Sequence, residues 1–196
     1  MNRRSLLRSQ LWASWQDTIL NEYADQLINS ERALQLYFCR HLSSAFSEKD
    51  KLKRHFLIEP PFRNKETKEK CHPDVLVCDH EKVIAVVELK YQPHKKPAYE
   101  KDLNKLAYVA GALEQFEVYN YRFRGPKKHK APFFLADNAL FVWAGVYRNE
   151  YKEVAESIDP IIKNQFIAFH AVTHRETDPD IYYSTPTQAR GKKLSD

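Results

Sequence analysis

The feature that most constrains this chain is a pair of apolar segments separated by a short polar turn. Asp74-Val-Leu-Val-Cys78 and Val83-Ile-Ala-Val-Val-Glu-Leu89 are rich in β-branched residues, and Asp79-His-Glu-Lys82 joins them. Runs of this kind form strands, and their separation predicts an antiparallel hairpin. Successive side chains of a strand point to opposite faces. Here both faces are apolar, with Val75 and Val77 on one and Leu76 and Cys78 on the other. A sheet that is apolar on both faces needs helices on both sides, so the hairpin predicts an α/β domain.

The flanking sequence supplies the helices. Trp15, Ile19, Tyr23 and Leu27 recur at helical spacing, and Ser30 is placed to cap a second helix striped by Leu34, Phe38, Leu42 and Ala45. One turn back along that stripe stands Glu31. It reads equally as a favourable charge at a helix N-terminus and as an active-site carboxylate. His55 to Phe62 predicts a short strand ended by Pro60 and Pro61, followed by a charged loop at 63–70. Beyond Lys90 a Pro-rich loop leads to a helix over residues 97–117, striped by Tyr99, Leu103, Leu106, Ala110 and Leu113. Residues 121–130 form a basic loop interleaved with aromatics. Ala139 to Tyr147 and Gln165 to Val172 predict two strands around an acidic amphipathic segment at 149–163, the order of a parallel crossover.

Composition bounds the rest. At 196 residues and 43% hydrophobic, residues 1–175 make one domain, and the polar residues 176–196 predict a loosely held tail. The longest uncharged apolar stretch, Ala139 to Tyr147, is half of the ~18 residues a membrane helix needs, and Arg8 and Gln10 interrupt any signal sequence. The expectation is a cytoplasmic protein, without membrane contact, whose Cys39, Cys71 and Cys78 stay reduced. Cys71-His72 and Cys78-x-His80 have zinc-ligand chemistry, but an extended strand separates the cysteines by ~23 Å, too far for one ion. The net charge is +5, from 31 basic and 26 acidic side chains, with the cations clustered at 49–54, 65–70 and 122–130. That distribution suits a polyanionic partner.

The hairpin register places chemistry. If the loop is His80-Glu81-Lys82, Asp79 faces Val83 and Asp74 falls opposite Glu88, their Cβ atoms ~5 Å apart. Lys90 shares the face of Glu88. A two-residue loop would set Asp74 against Val87 and send the carboxylates to different faces, so the arrangement depends on an odd loop or a bulge. Two carboxylates on one face repel unless a cation joins them. Mg²⁺ is the natural partner, since it takes carboxylate oxygens at ~2.1 Å and completes its shell with waters and phosphates; Mn²⁺ can substitute. Such an ion polarises a scissile phosphate and activates water, while Lys90 orients that water or neutralises developing charge.

His72-Pro73-Asp74 together with Val87-Glu88-Leu89-Lys90 resembles the PD-(D/E)xK signature of the restriction-endonuclease-like nuclease superfamily. The order of helix, strand, hairpin, helix and strand over residues 30–147 is similar to that superfamily's α-β-β-β-α-β core, a mixed sheet with helices on both faces. The resemblance implies a metal-dependent nuclease that hydrolyses phosphodiester bonds, in DNA more than RNA. Asp74 and Glu88 would hold metal and Lys90 would assist the nucleophile. Glu31 would add the acidic residue of the preceding helix, with Glu22 as its competitor. The helix after the lysine offers Asp102, Lys105 and Tyr99 as polar partners, and Gln92 matches a polar position on the Lys90 face. Arg122, Arg124, Lys127, Lys128 and Lys130 would contact phosphates, and Tyr119, Tyr121 and Phe123 have the chemistry to stack on unpaired bases. A homodimer is left open. The rival is a catalytically inactive nucleic-acid-binding or assembly module on the same fold, and a third reading is an unrelated α/β interaction protein whose hairpin merely ends in charges.

Overall fold

A computed structural model describes residues 3–49, 54–119, 131–148, 150 and 154–193 of the chain. Helix α1 (Arg3–Asp17) runs directly into a π-helical stretch, Thr18–Tyr23, and α2 (Glu31–Lys49) follows after a turn. Strand β1 (His55–Ile58), the small strands β2 (Phe62–Asn64) and β3 (Lys70–Cys71), and the hairpin β4 (Val75–Asp79) and β5 (Lys82–Gln92) come next. Then follow α3 (Glu100–Gly111), β6 (Phe116–Val118), the long β7 (Phe133–Arg148), β8 (Phe166–Thr173), β9 (Asp180–Thr185) and β10 (Gln188–Lys193).

These strands form one mixed sheet. β1, β4 and β5 pair antiparallel in that order, β5, β7 and β8 pair parallel, and β9 and β10 continue antiparallel. The start of β7 also pairs with β6, which leads to β2 and β3 as a side branch. Alternation distributes the apolar residues between two cores. Val75, Val77, Ala85, Val87 and Leu89 pack with Leu11 and Trp15 of α1 and Leu34, Phe38 and Leu42 of α2. Leu76, Cys78, Val86, Phe141 and Trp143 pack with Leu103, Leu106 and Val109 of α3. The chain is therefore an α/β protein with helices against both faces of a mixed sheet, as two-sided hydrophobicity requires.

The hairpin reaches the register that joins Asp74 to Glu88 by the second of the two expected routes, a bulge in place of an odd loop. Its loop holds two residues, because Asp79 pairs with Lys82, and His80 adopts φ 53° in it. A β-bulge at Ile84 then shifts the register, so that Val77 pairs with Ala85 and Val75 with Val87. The parallel pairing of β5 with β7 is interrupted at the same point, between Val83 and Ala85. One extra residue in a strand offsets the loop's parity, and the outer half of the hairpin recovers the register of a three-residue loop.

Several other expectations are corrected. Leu27 is 49% exposed and Ile28, 4% exposed, takes its place, because the helix ends at Tyr23 and the turn at 24–26 takes both residues out of helical periodicity. In α2, Ser30 caps as expected, its Oγ accepting from Ala33 N at 3.2 Å, but Phe46 is buried where Ala45, expected on the stripe, is only partly so. The helix expected to reach residue 117 ends at Gly111, and β6 occupies its last part. The charged loop at 63–70 folds back as β2 and β3, its turn held by Glu66 N and Thr67 N donating to Asn64 Oδ1. Between the parallel strands β7 and β8 the described residues form two 3₁₀ turns, Val154–Ser157 and Pro160–Ile162, in place of a longer helix. Residues 180–193, expected in a loose tail, extend the sheet as β9 and β10.

Candidate active site

At one end of the hairpin the sheet presents a cluster of carboxylates and lysines. Asp74 stands just before β4, and the register continues from the Val75–Val87 pair to set it beside Glu88. Its side chain is tied to the neighbouring strand, with Leu89 N donating to Oδ2 at 2.6 Å. Its backbone carbonyl is held from two sides, by Gln35 Nε2 at 2.9 Å and Glu59 N at 3.0 Å. Gln35 lies one helical turn beyond Glu31 on α2, so one face of that helix serves both ends of the site. The Glu31–Gln35 spacing was the sequence signal for this residue, and only the three-dimensional contact gives it meaning.

Glu88 is 1% exposed. Lys105 of α3 reaches it, Nζ donating to Oε2 at 2.6 Å and to the His72 carbonyl at 3.3 Å. The other oxygen, Oε1, is buried without a hydrogen-bond partner among the described residues. Burial first, and then the charge of Asp74, push the Glu88 carboxyl up to about 8, against the pull of Lys105. Burial likewise raises Asp74 to about 6, opposed by the hydrogen bond from Leu89 and added to by the charge of Glu31.

Lys90 faces α3 as the alternation predicts, but it does not contact Glu88. Its Nζ lies 3.3 Å from Asp102 Oδ2 and 3.8 Å from Glu31 Oε2. Glu31 reaches the cluster from the N-terminus of α2, where Oε2 also accepts from Tyr91 N at 3.2 Å. The competitor Glu22 points elsewhere, into a pairing with His41 at 3.2 Å and Arg40 at 3.4 Å. Asp102 and Lys105, three residues apart on α3, present neighbouring side chains to the sheet. Tyr99 packs edge-on against Trp143, with ring centroids 6.2 Å apart. Gln92 is engaged at the strand end, its Oε1 accepting from Ala98 N at 2.8 Å. Arg122, Arg124, Lys127, Lys128 and Lys130 lie outside the described residues, as do Tyr121 and Phe123.

The donor set suits a hard cation of modest demands. Among the described residues no three His, Cys, Asp or Glu side chains form a ready ligand group. What the cluster offers is two adjacent carboxylates, one with a buried oxygen that has no hydrogen-bond partner. Mg²⁺ sites are commonly built from one or two carboxylates, the rest of the shell coming from water and substrate phosphate. A carboxylate raised by burial and by its neighbour is also a group that a divalent ion would return to its charged form.

A second constellation with catalytic-looking chemistry is structural. His170 is fully buried, with Nδ1 3.0 Å from Tyr147 Oη and Nε2 3.0 Å from Ser184 Oγ. Burial lowers it to about 3, so the ring is neutral, and Ser184 is only 1% exposed. No substrate reaches a serine in that position.

The fold and cluster thus define a mixed α/β protein with a carboxylate and lysine centre at the edge of its parallel strands. No family model, no curated protein and no solved structure matches the chain. No described helix is long and apolar enough to cross a membrane.

Proposed function

We propose that this chain is a metal-dependent nuclease of the PD-(D/E)xK kind, hydrolysing phosphodiester bonds in nucleic acid, DNA more than RNA. The observation that carries the reading is the approach of Asp74 to Glu88 at the sheet end, with a Glu88 oxygen buried and without a hydrogen-bond partner. The order α2, β1, β4, β5, α3, β7 adds support, since it follows the α-β-β-β-α-β core of that superfamily. Asp74 and Glu88 are the residues that would hold Mg²⁺. The ion supplies polarisation of the phosphate and an acidified water. Lys90 then contributes a fixed positive charge where negative charge develops on phosphoryl oxygens, which favours the transition state over the bound substrate. Asp102 and Glu31 hold the Lys90 ammonium in place from α3 and α2. The basic segment carrying Lys127, Lys128 and Lys130 would contact the backbone of the nucleic acid.

One observation favours the rival reading of an inactive binding or assembly module on the same fold. The cluster is internally paired, Lys105 with Glu88 and Lys90 with Asp102, and so is neutralised in part without a metal. Incubation with linear, circular and branched DNA, with Mg²⁺ and with a chelator, separates the two. Mg²⁺-dependent cleavage of any substrate supports the nuclease, and binding without cleavage on all of them supports the module.

A further inference from the structure

The lysine that touches the proposed metal ligand is not the lysine of the motif. Lys90 is engaged by Asp102 and Glu31, while Lys105 alone among the described cations lies within ion-pair distance of Glu88, its Nζ 2.6 Å from Oε2. We infer that Lys105 is the resident counter-ion of the centre, and that a divalent cation binds Asp74 and Glu88 by displacing the Lys105 ammonium from Glu88. The inference rests on the metal-dependent reading above and adds to it the step by which the metal enters.

Three features of the structure point the same way. Glu88 is buried beside a second carboxylate, so its ionised form requires a positive charge beside it. Lys105 satisfies only one of its oxygens and leaves Oε1 buried without a hydrogen-bond partner among the described residues. The Lys105 ammonium reaches one carboxylate here, through one oxygen, whereas a metal ion with several coordination sites can take oxygens of both. The third feature is that Lys105 is able to leave. It is partly exposed, 24% at the side chain, and carries its charge on a flexible four-carbon stem; among the described residues its only other hydrogen bond is a 3.3 Å contact to the His72 carbonyl. Lys90, held on two sides, stays. The two lysines therefore divide the work, one fixed beside the reacting position and one keeping the metal seat neutral until it is filled.

The competition is measurable without catalysis. Isothermal titration of the full chain with Mn²⁺, in the absence of nucleic acid, would compare the wild type with Lys105→Met and Lys105→Arg. With the competing charge gone, Lys105→Met is expected to bind the ion roughly tenfold more tightly, the low end of what groups around a metal ligand are worth. Lys105→Arg keeps a cation at the seat and should stay near the wild type. Equal or weaker binding by Lys105→Met overturns displacement while leaving the metal site in place. Absence of Mn²⁺ binding by both wild type and Lys105→Met overturns the metal-dependent reading itself. Should Lys105→Met fail to fold, the wild type answers alone. Selective ¹⁵N observation of its lysine ammonium groups should show the Lys105 resonance moving as diamagnetic Mg²⁺ is brought to saturation, and a resonance unchanged from the metal-free protein overturns the inference.

Discussion

The amide of Leu89 donates to Asp74 Oδ2 at 2.6 Å, which ties a carboxylate preceding one strand to the backbone of the next, beside Glu88. Because the donor is main chain, its position is set by the strand and not by a rotamer. Asp74 is therefore held in place before any ligand arrives, and preorganisation of that kind lowers the cost of building a charged centre.

Lys90→Ala should separate binding from chemistry. Its ammonium lies between Asp102 and Glu31 at the strand end, and in the proposed mechanism it acts on charge that develops during reaction. Single-turnover cleavage should fall by ~10²-fold or more while DNA affinity in Ca²⁺ survives. Wild-type cleavage by this variant would remove Lys90 from the mechanism.

Without metal, stability should fall as pH rises through the range in which the two carboxylates titrate. Asp74 is raised from 3.8 to about 6 and Glu88 from 4.5 to about 8, so the folded state holds these protons more tightly than the unfolded chain. The stabilisation is complete below the unfolded values and is lost progressively as pH climbs toward the folded ones. Thermal melts in a chelator should show Tm decreasing over that window. The double variant Asp74→Asn, Glu88→Gln should flatten the decline, and an unchanged slope would assign it to other groups.

Glu31→Gln and Glu22→Gln should fail differently. Glu31 is 46% exposed at its side chain and meets Lys90, so its loss should lower cleavage with little change in Tm. Glu22 is 10% exposed and joins the π-helical stretch to α2 through His41 and Arg40. Its neutralisation should cost about 1–3 kcal/mol of stability, leaving cleavage below the melting range unaffected. A reversal of the two phenotypes would move the third acidic role to Glu22.

Gly145→Ala tests the packing behind the site. Gly145 lies on β7 in register with Lys90, and a Cβ there would run into the Trp143 ring. Trp143 is fully buried, so the ring has nowhere to move without disturbing Tyr99 and Tyr147. Overpacking should lower stability by about 1–3 kcal/mol in denaturant titration. A variant as stable as the wild type would show that this face of the core is adaptable.

The basic segment at 122–130 is testable through salt. Replacing Lys127, Lys128 and Lys130 together should weaken DNA binding and reduce the log-log salt slope by up to ~0.9 for each phosphate no longer neutralised. Cleavage at saturating DNA should stay near the wild type. An unchanged slope would place the binding surface elsewhere.

What the sequence determined by itself was local. Two-sided apolar alternation specified a hairpin with helices on both faces, Ser30 marked the start of α2, and the spacing from Glu88 to Lys90 put both on one face, because strand period and helix capping act over a few residues. The tertiary structure decided what distant parts share. Parity of the two-residue His80-Glu81 loop would have separated Asp74 from Glu88, and the bulge at Ile84, where β5 breaks step with both β4 and β7, restores their register. Residues 180–193 read as polar tail because Ile181, Tyr182 and Tyr183 are a short apolar run among polar residues, and they became β9 against the free side of β8, with β10 folded onto β9. The partner of each charge was hidden for the same reason. Glu88 meets Lys105 and Lys90 meets Asp102 because α3 lies across the sheet, and a charge pair between elements depends on packing, which no local period encodes.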